Sequence, residues 1–430
     1  MPETFAATDE AASQTGPFSD LLVIEIGQFV VAPVCSQYLA DGGARVIKVE
    51  PPTGDPYRTQ DPVATMESRQ FAIKNRGKES LPLKLGHPGA AEVLERLIAR
   101  ADILIVNARP DTLARHGLAY ADVAELNPRL IYAAASAFGF VGREARFGGM
   151  DVVAQARSGL LYAAGAEEDG LPYHSEVQFA DFSSALLMLA GIGAALHSRS
   201  RTGLGQEVGV SLIGGALALQ GNVLGHFVDH DAWREEFVND VLPRARAEKW
   251  TPREIASARR DLRPDPRDTT YYRVFRTSDG MLAVGAGSPT IRASLFDVLG
   301  LHQDGGTVTR EAVDRAFEQR SSDELVELLR GRGVPVSEVR HVEELFFDEH
   351  VRDEGLVRDV EHPTLGKYAT IGAPIRMGAT PFVGDRPSPL FGEHAVDILT
   401  ELGFEPTEID ALFEGGAVVT LDRQSGEDRA

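Results

Sequence analysis

Apolar positions in the first half of the chain fall into short unbroken runs separated by stretches of helical spacing. Residues 21–26 and 44–49 are mostly apolar, as strands buried on both faces are, and residues 33–41 between them carry a helical pattern. Strand, helix and strand in this order predict a βαβ unit with a right-handed crossover. The theme repeats: a helix over 90–100 precedes a strand over 102–106, and a helix over 120–126 precedes a strand over 129–135. These segments predict an α/β fold, an open sheet wrapped by helices.

Residues 182–199 read as one helix, with Ala185, Ala190, Gly191, Gly193, Ala194 and Ala195 permitting close packing. A strand over 206–212 and a helix over 215–226 follow. The character then changes. Residues 228–268 hold dense charge of both signs, Pro243, Pro252, Pro264 and Pro266, and isolated Trp233 and Trp250, which predicts a linker with some helix. A second, smaller α+β unit opens at 269: runs at 271–277 and 281–285 flank Asp279-Gly280, a hairpin signal. Ser288 and Pro289 then supply an N-cap and a first-turn proline for a helix through 299. A last amphipathic helix covers 394–402. The expected division is a lead over 1–20, a large domain over 21–227, the linker, and a small domain over 269–360.

Composition narrows the reading without redirecting it. At 430 residues, two or more packed units are expected, and 43% apolar with 25% charged residues is ordinary for a globular chain. A net charge of −21 argues against a nucleic-acid binder but leaves room for a phosphorylated ligand held by one basic pocket. Cys35 is the only cysteine, so no internal disulfide and no cysteine-based zinc site can form. Residues 1–15 are acidic and polar, unlike a secretion signal, and the most apolar stretch, 185–196, is short for a bilayer core of roughly 30 Å. A cytoplasmic location is expected. His226 and His230 stand four apart without further ligands, so no metal is expected.

Candidate chemistry comes from three places. Gly27 after the first strand and Glu50 after the second have the spacing of a dinucleotide-binding unit, but Phe29 would obstruct the phosphates where a glycine is needed and Ala32 occupies the third position. Lys74-Asn75-Arg76-Gly77-Lys78 puts three cations in five residues of an acidic chain, and Asn107-Ala108-Arg109-Pro110, with Arg115 beyond, follows a predicted strand. Loops at the carboxyl ends of parallel strands bind ligands, so these cations suit a polyphosphate; a solvated face with ordinary ion pairs is the alternative. Asp181 precedes the apolar helix and reads either as its cap or as a carboxylate nucleophile. Asp151, after Gly148-Gly149-Met150, reads as structural, and Cys35 as a small buried hydrophobe. Neither a nucleophile elbow nor a P-loop occurs.

In order and spacing, several segments make the chain similar to the class III CoA-transferases, the family that includes formyl-CoA transferase, carnitine CoA-transferase and α-methylacyl-CoA racemase. They are Leu39-Ala40-Asp41-Gly42-Gly43-Ala44 leading into Val46-Ile47-Lys48-Val49-Glu50, then Asn107-Ala108-Arg109-Pro110 and Asn127-Pro128-Arg129-Leu130-Ile131-Tyr132. Ala180-Asp181, Arg201-Thr202-Gly203-Leu204-Gly205-Gln206, Phe275-Arg276-Thr277-Ser278-Asp279-Gly280 and Gly392-Glu393-His394 complete the set. The resemblance runs from Leu21 to about Leu412. It implies a large Rossmann-like domain, a smaller domain, a return of residues 361–430 to the large domain, and two subunits interlocked as rings. It also implies that Asp181 is the nucleophile, passing through a mixed anhydride and an aspartyl-CoA thioester. Coenzyme A would be held by Lys74, Asn75, Arg76, Gly77, Lys78, Asn107, Ala108, Arg109, Arg115, Ser136, Ala137, Phe138 and Gly139, with an acyl-CoA and a carboxylic acid as substrates and no resident cofactor. Met150 and Ser288 stand where the racemase branch uses His and Glu, and neither exchanges an α-proton at neutral pH, which favours transfer over isomerisation or racemisation. Val30 and Val31 replace more polar and small residues of formyl-CoA transferase, and Ala108 stands where a larger aromatic is common; both speak against formyl or oxalyl specificity.

Overall fold

The computed structural model describes residues 16–174, 176–263, 270–301 and 308–421. The lead over 1–15, Pro264 and Pro266 lie outside the described residues. The chain forms two compact units, one taking in everything up to His226 and again from Glu349 onward, the other Phe227–Asp348.

The first unit is built on a six-stranded sheet: β1 Leu22–Ile26, β2 Arg45–Glu50, β3 Glu79–Pro82, β4 Ile103–Val106, β5 Ile131–Ser136 and β6 Glu207–Ser211. Their order is β6-β5-β4-β1-β2-β3, with every pair parallel. The central strands carry apolar side chains on both faces because each face has its own core. Val23, Ile103, Ile105 and Ile131 pack on one side, against helices α1 Val31–Asp41 and, later in the chain, those around Asp181. Ile24, Ile26, Leu104 and Val106 pack on the other, with α2 Pro88–Arg100 and the C-terminal residues Ile398, Leu399, Leu412 and Val418. Leu83 forms a bridge to Val418, so the end of the described chain returns to this sheet. The five predicted strands of this sheet are present. Strand β3 is an addition: it lies directly after the basic cluster, which masks its short apolar run.

Helices α3 Pro110–Arg115, α4 Tyr120–Leu126, α5 Asp151–Ser158, α6 Phe179–Thr202 and α7 Leu212–Ala218 complete the part that positions the site. Helix α6 is longer than predicted. Its 24 residues are long and apolar enough, by length and composition, to cross a membrane, which corrects the expectation drawn from 185–196 alone. In this structure it buries Ala180, Asp181, Ser184, Ala185, Met188, Ile192, Ala195 and Arg199 along one stripe, at the three- and four-residue spacing of a helix face. Gly215 in α7 lets the two helices meet, since a Cβ there would sit 2.3 Å from Ser184 Oγ.

The segment read as a linker with some helix contains helices Ala232–Glu236, Leu242–Glu248 and Pro252–Leu262, the last with a Thr251–Glu254 capping box, and its residues from Phe227 belong to the second unit. The predicted hairpin is present as antiparallel β7 Tyr272–Arg276 and β8 Met281–Gly285, joined by β9 Val336–Glu338. Helix α8 Pro289–Leu299 starts where the sequence predicts, Ser288 Oγ accepting from Ile291 N at 3.3 Å. Phe275 stacks on Phe317 at 4.1 Å in its core. The hairpin β10 Val357–His362 with β11 Gly366–Ile371 clusters with the first unit, so the boundary falls earlier than residue 360.

Candidate active site

The sheet order turns back between β1 and β4, which is where open α/β sheets place ligands, beyond the carboxyl ends of the strands. A cavity of about 520 Å³ lies there. Residues 27–31 after β1, 49–52 after β2, 83–85 after β3, 107–110 after β4 and 135–137 after β5 line it, together with Phe147, Gly148, Gly149, Met150, Asp181 and Leu212.

Asp181 is the third residue of α6 and only 8% exposed. Among the described residues, none donates a hydrogen bond to its carboxylate. The helix is capped by a different residue. Asp151, at the start of α5, accepts from Ala180 N at 2.8 Å and Asp181 N at 3.1 Å through Oδ1, and from Gln155 Nε2 through Oδ2. His174 Nε2 lies 3.6 Å from the same Oδ2. The cap reading of Asp181 is therefore corrected: a carboxylate thirty positions earlier satisfies the free N–H groups, and Asp181 is left to face the cavity. Burial, then the neighbouring Asp151 carboxylate, push the Asp181 acid up to about 7, while the Lys74 ammonium draws it down.

The five residues from Lys74 to Lys78 do not line this cavity. Arg76 is buried and holds Asp41 through Nε at 2.9 Å and Nη2 at 2.5 Å, and it also donates to Ile371 O at 2.6 Å. Lys78 donates to Glu25 at 2.7 Å, Pro33 O at 2.8 Å and Asn75 Oδ1 at 2.8 Å. Asn75 donates to Phe71 O, and Gly77 N to Pro387 O. Lys74 donates to Gln70 Oε1 at 2.5 Å and lies 4.8 Å from the Tyr57 ring centre. Arg76 and Lys78 therefore do not form a solvated face: a buried charge needs internal partners, and both have them.

The strand-end loops differ. Asn107 clamps the loop after β1, accepting from Gln28 N at 3.0 Å and donating to Gln28 O at 2.6 Å. Ala108 packs against the core and Arg109 is exposed at the cavity edge, with Nε 4.0 Å from Asp111. Arg115 is exposed outside the lining and donates to Asp111 O and Thr112 Oγ1. Ser136 Oγ accepts from Gly139 N at 3.0 Å, so these two shape the loop after β5; Ser136 and Ala137 line the cavity, whereas Phe138 packs against the core.

Sequence reasoning missed Lys84, an exposed cation in the lining, although its place just after a buried run was a usable signal. It also missed the backbone of Phe29, whose φ of 65° is unusual for a residue with a side chain; the ring lies edge-on to Tyr57 at 5.5 Å. No local pattern announces that. The dinucleotide reading finds no support. Glu50 accepts from Arg58 Nε at 2.7 Å, Arg58 Nη2 at 3.0 Å and Ser80 Oγ at 2.7 Å, leaving no lone pair directed at a ribose, and Phe29 lines the cavity where phosphates would pass. Cys35 is fully buried, and burial pushes its thiol far above the ordinary range.

Comparison with known proteins identifies the family. Residues 18–395 match the model of CoA-transferase family III. Succinate–glutarate CoA-transferase of Agrobacterium fabrum is 31% identical over 90% of this chain and 96% of its own. Human succinyl-CoA:glutarate CoA-transferase is 28% identical over 94% and 90%. Among solved structures, a CaiB/BaiF family protein of Brucella suis superposes with a TM-score of 0.70 at 26% identity, covering 90% of this chain and 100% of that one. Rv3272 of Mycobacterium tuberculosis gives 0.73 at 25%, covering 90% and 99%. The protein belongs to CoA-transferase family III and is a CoA-transferase, an enzyme whose substrates are coenzyme A thioesters.

Proposed function

We propose that this enzyme moves CoA from an acyl-CoA to a carboxylic acid with Asp181 as the covalent nucleophile. The observation that carries the reading is a buried carboxylate at the cavity wall that accepts no hydrogen bond among the described residues. Asp181 Oδ attacks the thioester carbonyl, the C–S bond breaks, and CoA leaves as thiolate with an aspartyl mixed anhydride behind it. The thiolate attacks the aspartyl carbonyl and expels the donor acid as carboxylate, leaving a β-aspartyl-CoA thioester. The acceptor carboxylate then attacks that thioester, and the returning thiolate cleaves the second anhydride, freeing Asp181 and the new acyl-CoA. Each step exchanges one acyl bond for another of similar energy, so no barrier is that of direct exchange. Arg109 and Lys84, the two cations of the lining, are placed to take the phosphates of CoA.

The relatives named for succinyl-CoA and glutarate make a dicarboxylic acid the proposed acceptor class. We propose a cytoplasmic homodimer, since Phe182, Leu186 and Leu187 leave an exposed apolar ridge on α6 suited to a second copy. Intact-protein mass spectrometry after mixing with succinyl-CoA, without acceptor, tests the chemistry. A protein heavier by one CoA less one water, absent in Asp181→Ala, is expected. A fully active Asp181→Ala enzyme sinks the mechanism. A panel of glutarate, mesaconate, malonate and monocarboxylates then tests the acceptor class by which of them discharges the adduct.

A further inference from the structure

Five buried cations of the first unit have carboxylate partners: Lys48 with Glu25 and Asp55, Arg58 with Glu50 and Glu67, Arg76 with Asp41, Lys78 with Glu25, and Arg199 with Asp102. Lys74 is 3% exposed and, among the described residues, stands in no ion pair. Its single acceptor is Gln70, a neutral amide, and its ammonium lies 4.8 Å from the Tyr57 ring centre. The Tyr57 hydroxyl in turn accepts from Gln178 Nε2 at 2.9 Å, and Gln178 is the residue that opens α6, three before Asp181. An ammonium buried without a carboxylate is costly unless a nearby negative charge answers it. The two carboxylates whose fields act on Lys74 are those of Asp181 and Asp55, and Asp55 is already held by Lys48 at 3.0 Å. That leaves Asp181.

We infer that Lys74 is a positioning residue for the transfer reaction: its ammonium, against the Tyr57 ring, is the counter-charge that favours the carboxylate form of Asp181 in a buried site flanked by a second acid. The inference rests on the reading of Asp181 as nucleophile. Lys74 is outside the cavity lining, so it acts through Asp181 and not on the substrate. The groups facing Asp181 divide by sign. Asp151, on α5, opposes ionisation, with His174 3.6 Å from its far oxygen; Tyr57 contributes a neutral hydroxyl already engaged by Gln178; Lys74 is the cation among them. In the mixed anhydride and the thioester, residue 181 is neutral, and at each collapse it must leave as a carboxylate again. A fixed positive charge lowers the cost of that return and needs no reorganisation at the moment of reaction. Burial lowers the Lys74 ammonium itself to about 8, so it remains largely protonated at neutral pH.

Two variants and two readouts test this. Lys74→Met removes the charge but keeps an apolar stem, and Lys74→Arg keeps the charge. In substrate-free protein labelled with [γ-13C]aspartate, with the Asp181 signal assigned by its loss in Asp181→Asn, the carboxyl midpoint is expected to rise by about one pH unit in Lys74→Met and to stay in place in Lys74→Arg. The acid limb of kcat/KM for succinyl-CoA with glutarate is expected to move with it, a loss of about tenfold on that limb and little loss on the plateau. A midpoint unmoved in Lys74→Met, or a rate lowered uniformly across pH and equally in both variants, overturns the inference. An Asp181→Asn enzyme that still transfers CoA removes the nucleophile reading instead, and the carbon titration still decides the charge coupling.

Discussion

Two carboxylates of the first unit, Glu25 in β1 and Asp181 at the head of α6, are both buried and differ in what answers them. Glu25 is fully buried and accepts from Lys48 at 2.7 Å, Lys78 at 2.7 Å and Ser36 at 2.6 Å. Burial alone would raise its pKa, but the fields of the two ammonium groups outweigh it and hold the acid at about 2. Among the described residues Asp181 has no donor to its oxygens, and burial with Asp151 leaves it at about 7. One carboxylate is saturated and inert, a strut between β1, β2 and the loop before β3. The other keeps its lone pairs and a wall position on a cavity, which a nucleophile requires. Charge at depth builds in the first region and reacts in the second.

Swapping each carboxylate for its amide separates the two roles. Asp181→Asn is expected to lower kcat for CoA transfer by at least ~10³-fold without lowering the urea unfolding midpoint at neutral pH, since it removes a carboxylate whose ionisation burial opposes. Glu25→Gln is expected to do the reverse. Lys78 loses its carboxylate and Lys48 keeps only Asp55, a loss of about 3–5 kcal/mol in urea unfolding, with residual folded enzyme still turning over. Equal losses of stability from both changes would erase the distinction.

Acid and base titration sharpen the same contrast, because the two groups respond with opposite sign. The folded-state pKa of Glu25 is depressed from 4.5 to about 2, so its contribution to stability is complete above 4.5 and disappears as pH falls from there toward 2. That of Asp181 is raised from 3.8 to about 7, so the folded state binds more protons than the unfolded one across that interval, and stability declines as pH rises through it. Subtracting the stability curve of Asp181→Asn from that of the parent should give a difference falling between about pH 4 and 7 and flat above. A flat difference throughout would mean that Asp181 ionises as freely as in water. Activity follows the ionised form and rises toward a plateau above about pH 7.

How much of this was legible depended on how far apart the partners stand in the chain. The strands of the parallel sheet show as apolar runs because both their faces are covered, and the cavity follows from their shared carboxyl ends. Asp181, Asn107 and Arg109, each singled out from the sequence, line that cavity. The burial of the cluster at 74–78 was not legible because its surroundings come from elsewhere: Asp41 lies 35 positions before Arg76, Glu25 lies 53 before Lys78, and Ile371 lies 295 after Arg76. Three cations in five residues look like a surface until the sheet folds acids around them. The same distance hid Asp151 as the cap of α6, and hid the helices of 232–262, whose apolar positions are too few to show a period without their neighbours.

The smallest expected effect is at Asp151, where charge and hydrogen bonding can be taken apart. In Asp151→Asn the amide oxygen still accepts from Ala180 and Asp181 N–H groups, so the cap of α6 persists while the negative charge beside Asp181 is gone. The acid limb of transfer should then move to lower pH, by less than about one pH unit, with stability nearly unchanged. Asp151→Ala removes charge and cap together and should cost about 1 kcal/mol besides. The direction matters more than the size: removing an acid beside Asp181 and removing the cation beneath it must displace the same limb oppositely. If Asp151→Asn moves it upward, the field at the nucleophile is not the one this arrangement of side chains produces.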